Sequence, residues 1–195
     1  MLPVTLSTFE ATSSSKHLPK LTPSKLKAIE ESCVLAVNEK VQILLLFLYK
    51  KWIAEVAIGL ERKDESTRLL DQLGLPWYIE SYQGPYVERW VQVGANQAVL
   101  DYVHARRGEL SDLESGILYG FPPTHVLGYV GIISKKPTAP NSVALYMLAG
   151  TYSKNFQDAE VKYFNEIWWE VEKVSPVIAG QAQQEYESLY RQTSE

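Results

Sequence analysis

Apolar and polar positions along the chain follow two different periods. From Trp52 to Leu60 they alternate, with Trp52, Ala54, Val56, Ile58 and Leu60 on one side and Glu55 on the other, which predicts a half-buried strand. Asp64 reads as the cap of a helix carrying Leu69, Leu70 and Leu73, and Gly74 follows where a left-handed residue would end it. Pro76–Tyr82 and Tyr86–Val93 are rich in aromatic and β-branched residues, and Gln83-Gly84-Pro85 between them predicts a turn, hence an antiparallel hairpin. Gly94-Ala95-Asn96 then opens a helix with Ala98, Val99, Tyr102 and Val103 inward, closed by Arg106, Arg107 and Gly108.

The succession is β-α-β-β-α. It predicts an α+β fold class: a split unit with an antiparallel sheet, half of a ferredoxin-like layout, with helices on one face. Such a unit hosts many unrelated activities and supplies none by itself.

On the N-terminal side, Thr22 and Pro23 spell a helix start, and Leu26, Ile29, Cys33, Val34 and Val37 continue it as an apolar stripe toward a break at Asn38-Glu39-Lys40. The run Val41–Tyr49 fits a buried helix or a buried strand, because periodicity does not separate the two over so short a length. Beyond residue 109 the pattern becomes helical. Ser111 and Glu114 spell a capping box, Gly120-Phe121-Pro122 a tight helix exit over a packed ring, and Thr124 the cap of a further apolar stretch. Ser134–Ser142 reads as an exposed loop. Asp158–Val174 is strongly amphipathic, with Val161, Phe164, Ile167 or Trp168, Val171 and Val174 on one side, and Ser175-Pro176 separates it from a last helix. The organisation expected is an N-terminal arm over 1–20, an α+β unit over 21–109 and a helical part over 110–195 packed on it, all within one compact domain.

Composition narrows the class. At 195 residues with 46% hydrophobic and 11% aromatic content, the chain carries enough apolar side chains to build a core. The most apolar segment, Val41–Tyr49, interrupted by Gln42, is well short of the roughly 20 residues a membrane span needs, and no signal peptide is spelled at Met1–Ser15. A soluble, cytoplasmic protein is expected, and the single cysteine, Cys33, reads as a buried inert thiol. The net charge of −4 is unevenly spread: residues 1–51 hold seven Lys against four Glu, and residues 158–195 hold eight acids against three bases. The acidic end argues against a nucleic-acid face there. Trp77, Tyr78, Tyr82, Tyr86 and Trp90 are reminiscent of RNA-stacking sheets, but Glu80 and Glu88 on the same strands weigh against that use.

Catalytic signatures of the common kinds are missing: no phosphate-cradling glycine loop, no Gly-x-Ser-x-Gly elbow, no Cys-x-x-Cys and no His-Glu-x-x-His. No metal site and no cofactor are expected. The densest polar cluster runs from Asp101 to Glu114, where Asp101 lies three residues before His104 on a helix and could orient its imidazole for acid–base work. A pocket between the sheet unit and the helical part would be lined by His104, Glu109, Tyr119 and His125. Trp168 and Trp169 lie about 100° apart on one helix, so one enters the core while the other stands toward solvent as a possible interface anchor. Two functions are therefore expected in competition. The first is a non-enzymatic module that self-associates as a dimer or binds a protein partner; the second is a small-ligand binder or enzyme using that pocket.

Overall fold

The computed structural model describes residues 19–58, 62–80, 89–136, 141–149, 152–153 and 155–190. Contacts divide the chain into two compact units, Met1–Gly120 and Phe121–Glu195. The division falls after Gly120, whereas the sequence changes character near residue 109.

In the first unit, α1 (Pro23–Glu30) is capped by Thr22, whose hydroxyl accepts from Lys25 N. It ends earlier than the apolar stripe predicts. Ser32 Oγ accepts from the N–H groups of Val34 and Leu35, and Glu39 accepts from Ala36 N at 2.8 Å. These local bonds build a turn over 31–36, so the break precedes Val37 and does not fall at 38–40. Cys33 sits in this turn and is exposed, against the expectation of a buried thiol.

The ambiguous run is helical. In α2 (Val37–Phe47), the side chains of Val41 and Ile43–Phe47 are all buried. Tyr49 ends it with φ 56°, while Tyr49 N reaches Leu46 O and Lys50 N reaches Leu45 O, the double bond that satisfies a helix's last carbonyls.

Strands β1 (Ile53–Ile58), β2 (Trp77–Glu80) and β3 (Arg89–Gly94) form one sheet in the order β1-β3-β2, with β3 antiparallel to both neighbours. The α+β class is as the sequence predicts, and the likeness to half a ferredoxin-like layout extends to this strand order. The predicted turn at 83–85 and the aromatics Tyr82 and Tyr86 lie outside the described residues.

Between β1 and β2 runs α3 (Lys63–Leu73), which Gly74 ends at φ 67°. Its N-cap is Arg62, with no side-chain cap bond, so Asp64 lies inside the first turn and complements the helix dipole there. Asn96 caps α4 (Gln97–Ala105) by accepting from Val99 N. Val99 and Leu100 are its buried residues, Tyr102 and Val103 are half-buried and Ala98 is exposed, so of the expected inward stripe only Ala98 departs. The capping box of α5 (Asp112–Leu118) forms as spelled: Glu114 N donates to Ser111 Oγ, and Ser111 N donates to Glu114 Oε2.

The sheet's alternation sorts its side chains. Ala54, Val56, Val91 and Val93 are wholly buried on one face. The other face is also covered near Gly94, where an added Cβ would stand 3.1 Å from Leu100 Cβ on α4. Both faces are thus packed, which corrects the expectation of cover on one face only.

The second unit begins with α6 (Pro123–Tyr129). Pro122 is its N-cap and Pro123 its first residue, so Thr124 lies within the helix. A short ladder of β4 (Lys135–Lys136) and β5 (Tyr152–Ser153) brackets α7 (Val143–Leu148). Then come α8 (Gln157–Val174) and α9 (Pro176–Tyr190), parted at Ser175. Leu145, Ala149 and Phe164 form a core cluster with Phe121, Leu148, Val161 and Tyr163 packed against it. Among the described residues, no helix is long and apolar enough to cross a membrane.

Candidate functional site, a recess on the polar face of the sheet

The register of the first unit's sheet sets Glu55 opposite Gln92 on one side and Tyr78 opposite Gln92 on the other. Strand alternation therefore lays a polar row across the face that also carries Ile53 and Gly94. α4 and α5 close over part of this face and leave a recess of about 180 Å³. Ile53, Val103, Leu110 and Leu118 give it an apolar wall. Gln92, His104, Arg107, Ser115 and Tyr119 give it a polar one.

Three of the polar groups have neighbours that hold them. Tyr119 Oη donates to Glu55 Oε1 at 2.5 Å, and Gln92 Nε2 approaches Tyr119 Oη at 3.5 Å. The His104 ring tilts against Tyr78, with 4.4 Å between centroids. Asp101, expected to orient His104, accepts instead from Gln97 Nε2 at 2.8 Å. Arg106 and Glu114 engage each other at 2.8 Å. Backbone and hydroxyl bonds from Ser111, followed by the bond from Arg106, hold the Glu114 carboxyl down at about 2. Arg107, the adjacent guanidinium, lines the recess.

Gly120 anchors the turn that delivers Tyr119. It has φ 80°, and an added Cβ would lie 2.3 Å from Lys50 O. Only glycine allows the backbone to pass so close in this conformation.

Below the polar row lies Lys51, two residues before Ile53 and four before Glu55. Its amine donates to Gln42 Oε1 and is 7% exposed. Burial pushes its pKa down to about 8, and the charge of Glu55 opposes the shift.

Of the four pocket residues expected from the sequence, His104 and Tyr119 line this recess. Glu109 is exposed and outside its lining; its backbone N–H donates to Arg106 O. His125 belongs to the second unit. It is buried there, stacked on Phe121 at 4.9 Å and met edge-on by Phe164 at 5.5 Å.

His125 Nδ1 lies 3.5 Å from Glu160 Oε2 without forming a hydrogen bond. Burial lowers its pKa, and Glu160 works in the opposite sense. Glu160 accepts from Ser153 N at 3.0 Å and from Ser153 Oγ at 2.7 Å. Serine, acid and histidine thus meet in a different order from a serine–histidine–acid triad: the hydroxyl donates to the acid and not to the histidine.

Trp168 is buried and donates to Glu172 Oε1, whereas Trp169 is exposed. Tyr78 and Trp90 are part-exposed on the sheet, and Trp77 Nε1 donates to Asp71. Among the described residues, no three His, Cys, Asp or Glu side chains gather as a metal site requires.

Sequence reasoning missed Gln92, Ser115, Lys51, Ser153 and Glu160. A signal existed for Gln92, the single amide between Val91 and Val93 in an apolar strand. For Lys51 none existed, since a lysine at the end of an apolar run reads as its solvated stop. The chain matches no family model, no curated protein and no solved structure, so a functional reading rests on its own geometry.

Proposed function

We propose that the first unit binds a small organic acid, a monocarboxylate with a short apolar chain, in the recess between the sheet and helices α4 and α5. The observation that carries this reading is the division of the lining. Ile53, Val103, Leu110 and Leu118 offer apolar surface, while Arg107, His104, Ser115 and Gln92 form the polar side, and no carboxyl group lines the recess among the described residues. A guanidinium fork suits a carboxylate, and the apolar wall suits a short hydrocarbon body. At about 180 Å³ the recess falls below the roughly 300–1,000 Å³ of pockets for drug-sized ligands, which limits the ligand to a few carbons.

Tyr119 acts as a positioning group, its hydroxyl proton committed to Glu55. Among the described residues nothing in the arrangement activates a nucleophile, so the reading is of a binding site.

Calorimetric titration with acetate, butyrate, hexanoate and inorganic phosphate tests it. Affinity should rise from acetate to butyrate and exceed that for phosphate. Arg107→Gln should weaken butyrate binding at least about tenfold, since a hydrogen bond to a charged group contributes about 1.5–3 kcal/mol. Failure of every carboxylate to bind, or unchanged binding by Arg107→Gln, would refute the reading. A self-associating role has its own separate observation, the exposed indole of Trp169.

A further inference from the structure

Helix α8 buries Glu160, Phe164, Ile167, Trp168 and Val171 on one side. At 100° per residue Trp169 falls on the opposite side, and it is 58% exposed. Its surroundings on that side are polar. Asp158, Lys162, Asn165, Glu166 and Lys173 are all exposed, and Lys173 Nζ stands 3.9 Å from the centre of the Trp169 ring. An open groove runs along the same side, lined by Asp158, Val161, Lys162, Asn165, Glu166 and Trp169.

The order of charges along this stripe selects an occupant. A second α8 laid antiparallel sets Asp158 against Lys173 of the second copy, Lys162 against its Trp169, and Asn165 against its Glu166. Two-fold symmetry repeats each contact. A parallel arrangement would face Asp158 with Asp158 and Lys162 with Lys162, like charge on like. We propose that the protein forms a homodimer through antiparallel α8–α8 contact in this register, with Trp169 of each copy under Lys162 of the other. Two cation–π contacts then flank the symmetry axis and two ion pairs close the ends, which makes the surface self-complementary as a two-fold interface requires.

The contact spans about 22 Å from Asp158 to Lys173. A surface of that length stands at the small end of interface sizes, so the dimer is concentration-dependent.

Sedimentation velocity of the full chain over a concentration series at low salt reads the equilibrium directly. Wild type should pass from monomer to dimer. Trp169→Ala should weaken the dimer at least about tenfold, as loss of a central tryptophan anchor does. Asp158→Lys should weaken it by about tenfold through two like-charge contacts, and adding Lys173→Asp to it should restore wild-type association. All these positions are solvent-exposed, and circular dichroism confirms that each variant is folded. A wild-type chain that stays monomeric throughout, or a dimer indifferent to Trp169→Ala, overturns the proposal. A folded double variant no tighter than Asp158→Lys overturns the register.

Discussion

Two polar clusters, one in each unit, hold the histidines that the sequence singles out beyond residue 100, and they are built in opposite ways. In the second unit His125, Glu160 and Ser153 are sealed. All three are buried, both carboxyl oxygens of Glu160 accept from Ser153, and His125 is stacked on Phe121 and met edge-on by Phe164. In the first unit the polar row opens into a recess, where His104 and Arg107 are exposed beside an apolar wall. Closed complementarity is what a fold uses to tie β5 to α8. An open recess with polar groups beside an apolar wall is what a ligand site needs. Residue type alone does not distinguish the two cases, since each contains a histidine, a serine and an acid within reach.

The sharpest way to break this comparison is Glu160→Ala. It strands the buried N–H and hydroxyl of Ser153 and opens a void, at a cost of about 3–5 kcal/mol to the second unit. Hydrogen exchange of the α8 amides would report that loss. Glu160→Gln keeps one acceptor and should cost less. A change below about 1 kcal/mol for the alanine variant would mean that the cluster is not structural.

Lys51 is an intermediate case, a buried amine in the unit that holds the recess. Its pKa lies at about 8 in the fold against 10.5 in a free chain. Between those values the unfolded chain binds more protons, so the first unit gains stability as pH rises from about 8 to 10.5. Below about 8 the burial is a standing cost of about 3 kcal/mol. Lys51→Met should therefore stabilise the first unit at neutral pH by about 1–3 kcal/mol and abolish the alkaline gain, measured by denaturant titration at pH 7 and pH 10.

His125 gives a smaller effect of related sign. Its pKa is lowered, so its contribution to the second unit is complete above the unfolded value of about 6.5 and is lost as pH falls through the lower folded value. His125→Phe should flatten the stability of α8 between pH 7 and pH 5. A slope unchanged by the substitution would show that His125 does not couple to folding.

The smallest effect on stability belongs to the recess. Arg107→Gln should alter unfolding by less than about 0.5 kcal/mol, as exposed substitutions do, while weakening carboxylate binding. A large loss of stability there would reclassify Arg107 as structural.

Local features were the legible ones. Ser111 and Glu114 cap α5 because the two residues complete each other's bonds within one turn, and Gly74 ends α3 because a left-handed residue is needed there. The hairpin pairing, the amphipathic α8 and the split between Trp168 and Trp169 likewise follow from spacing alone. The errors arose where two local signals competed. Thr124 is a good cap, yet Pro122-Pro123 starts α6 two residues sooner; Ser32 folds back on the chain and ends α1 before Val37 can continue it. Half of the expected pocket was legible for the same reason. His104 and Tyr119 sit at the ends of well-signalled helices, whereas Glu109 is exposed outside the recess lining and His125 belongs to a different compact unit.

By itself the sequence determined the three strands of the sheet, the caps at Thr22, Gly74 and Ser111 and the α+β class, because hydrogen bonds and burial patterns within a few residues decide those. Tertiary structure alone decided that Val41–Phe47 is helical, that Lys51 is buried, and that Gln92, Arg107 and Ser115 share one recess. These depend on which distant surface closes over each side chain. A lysine next to an apolar run, or an amide in a strand, is written the same way whether it meets solvent or another element of the fold.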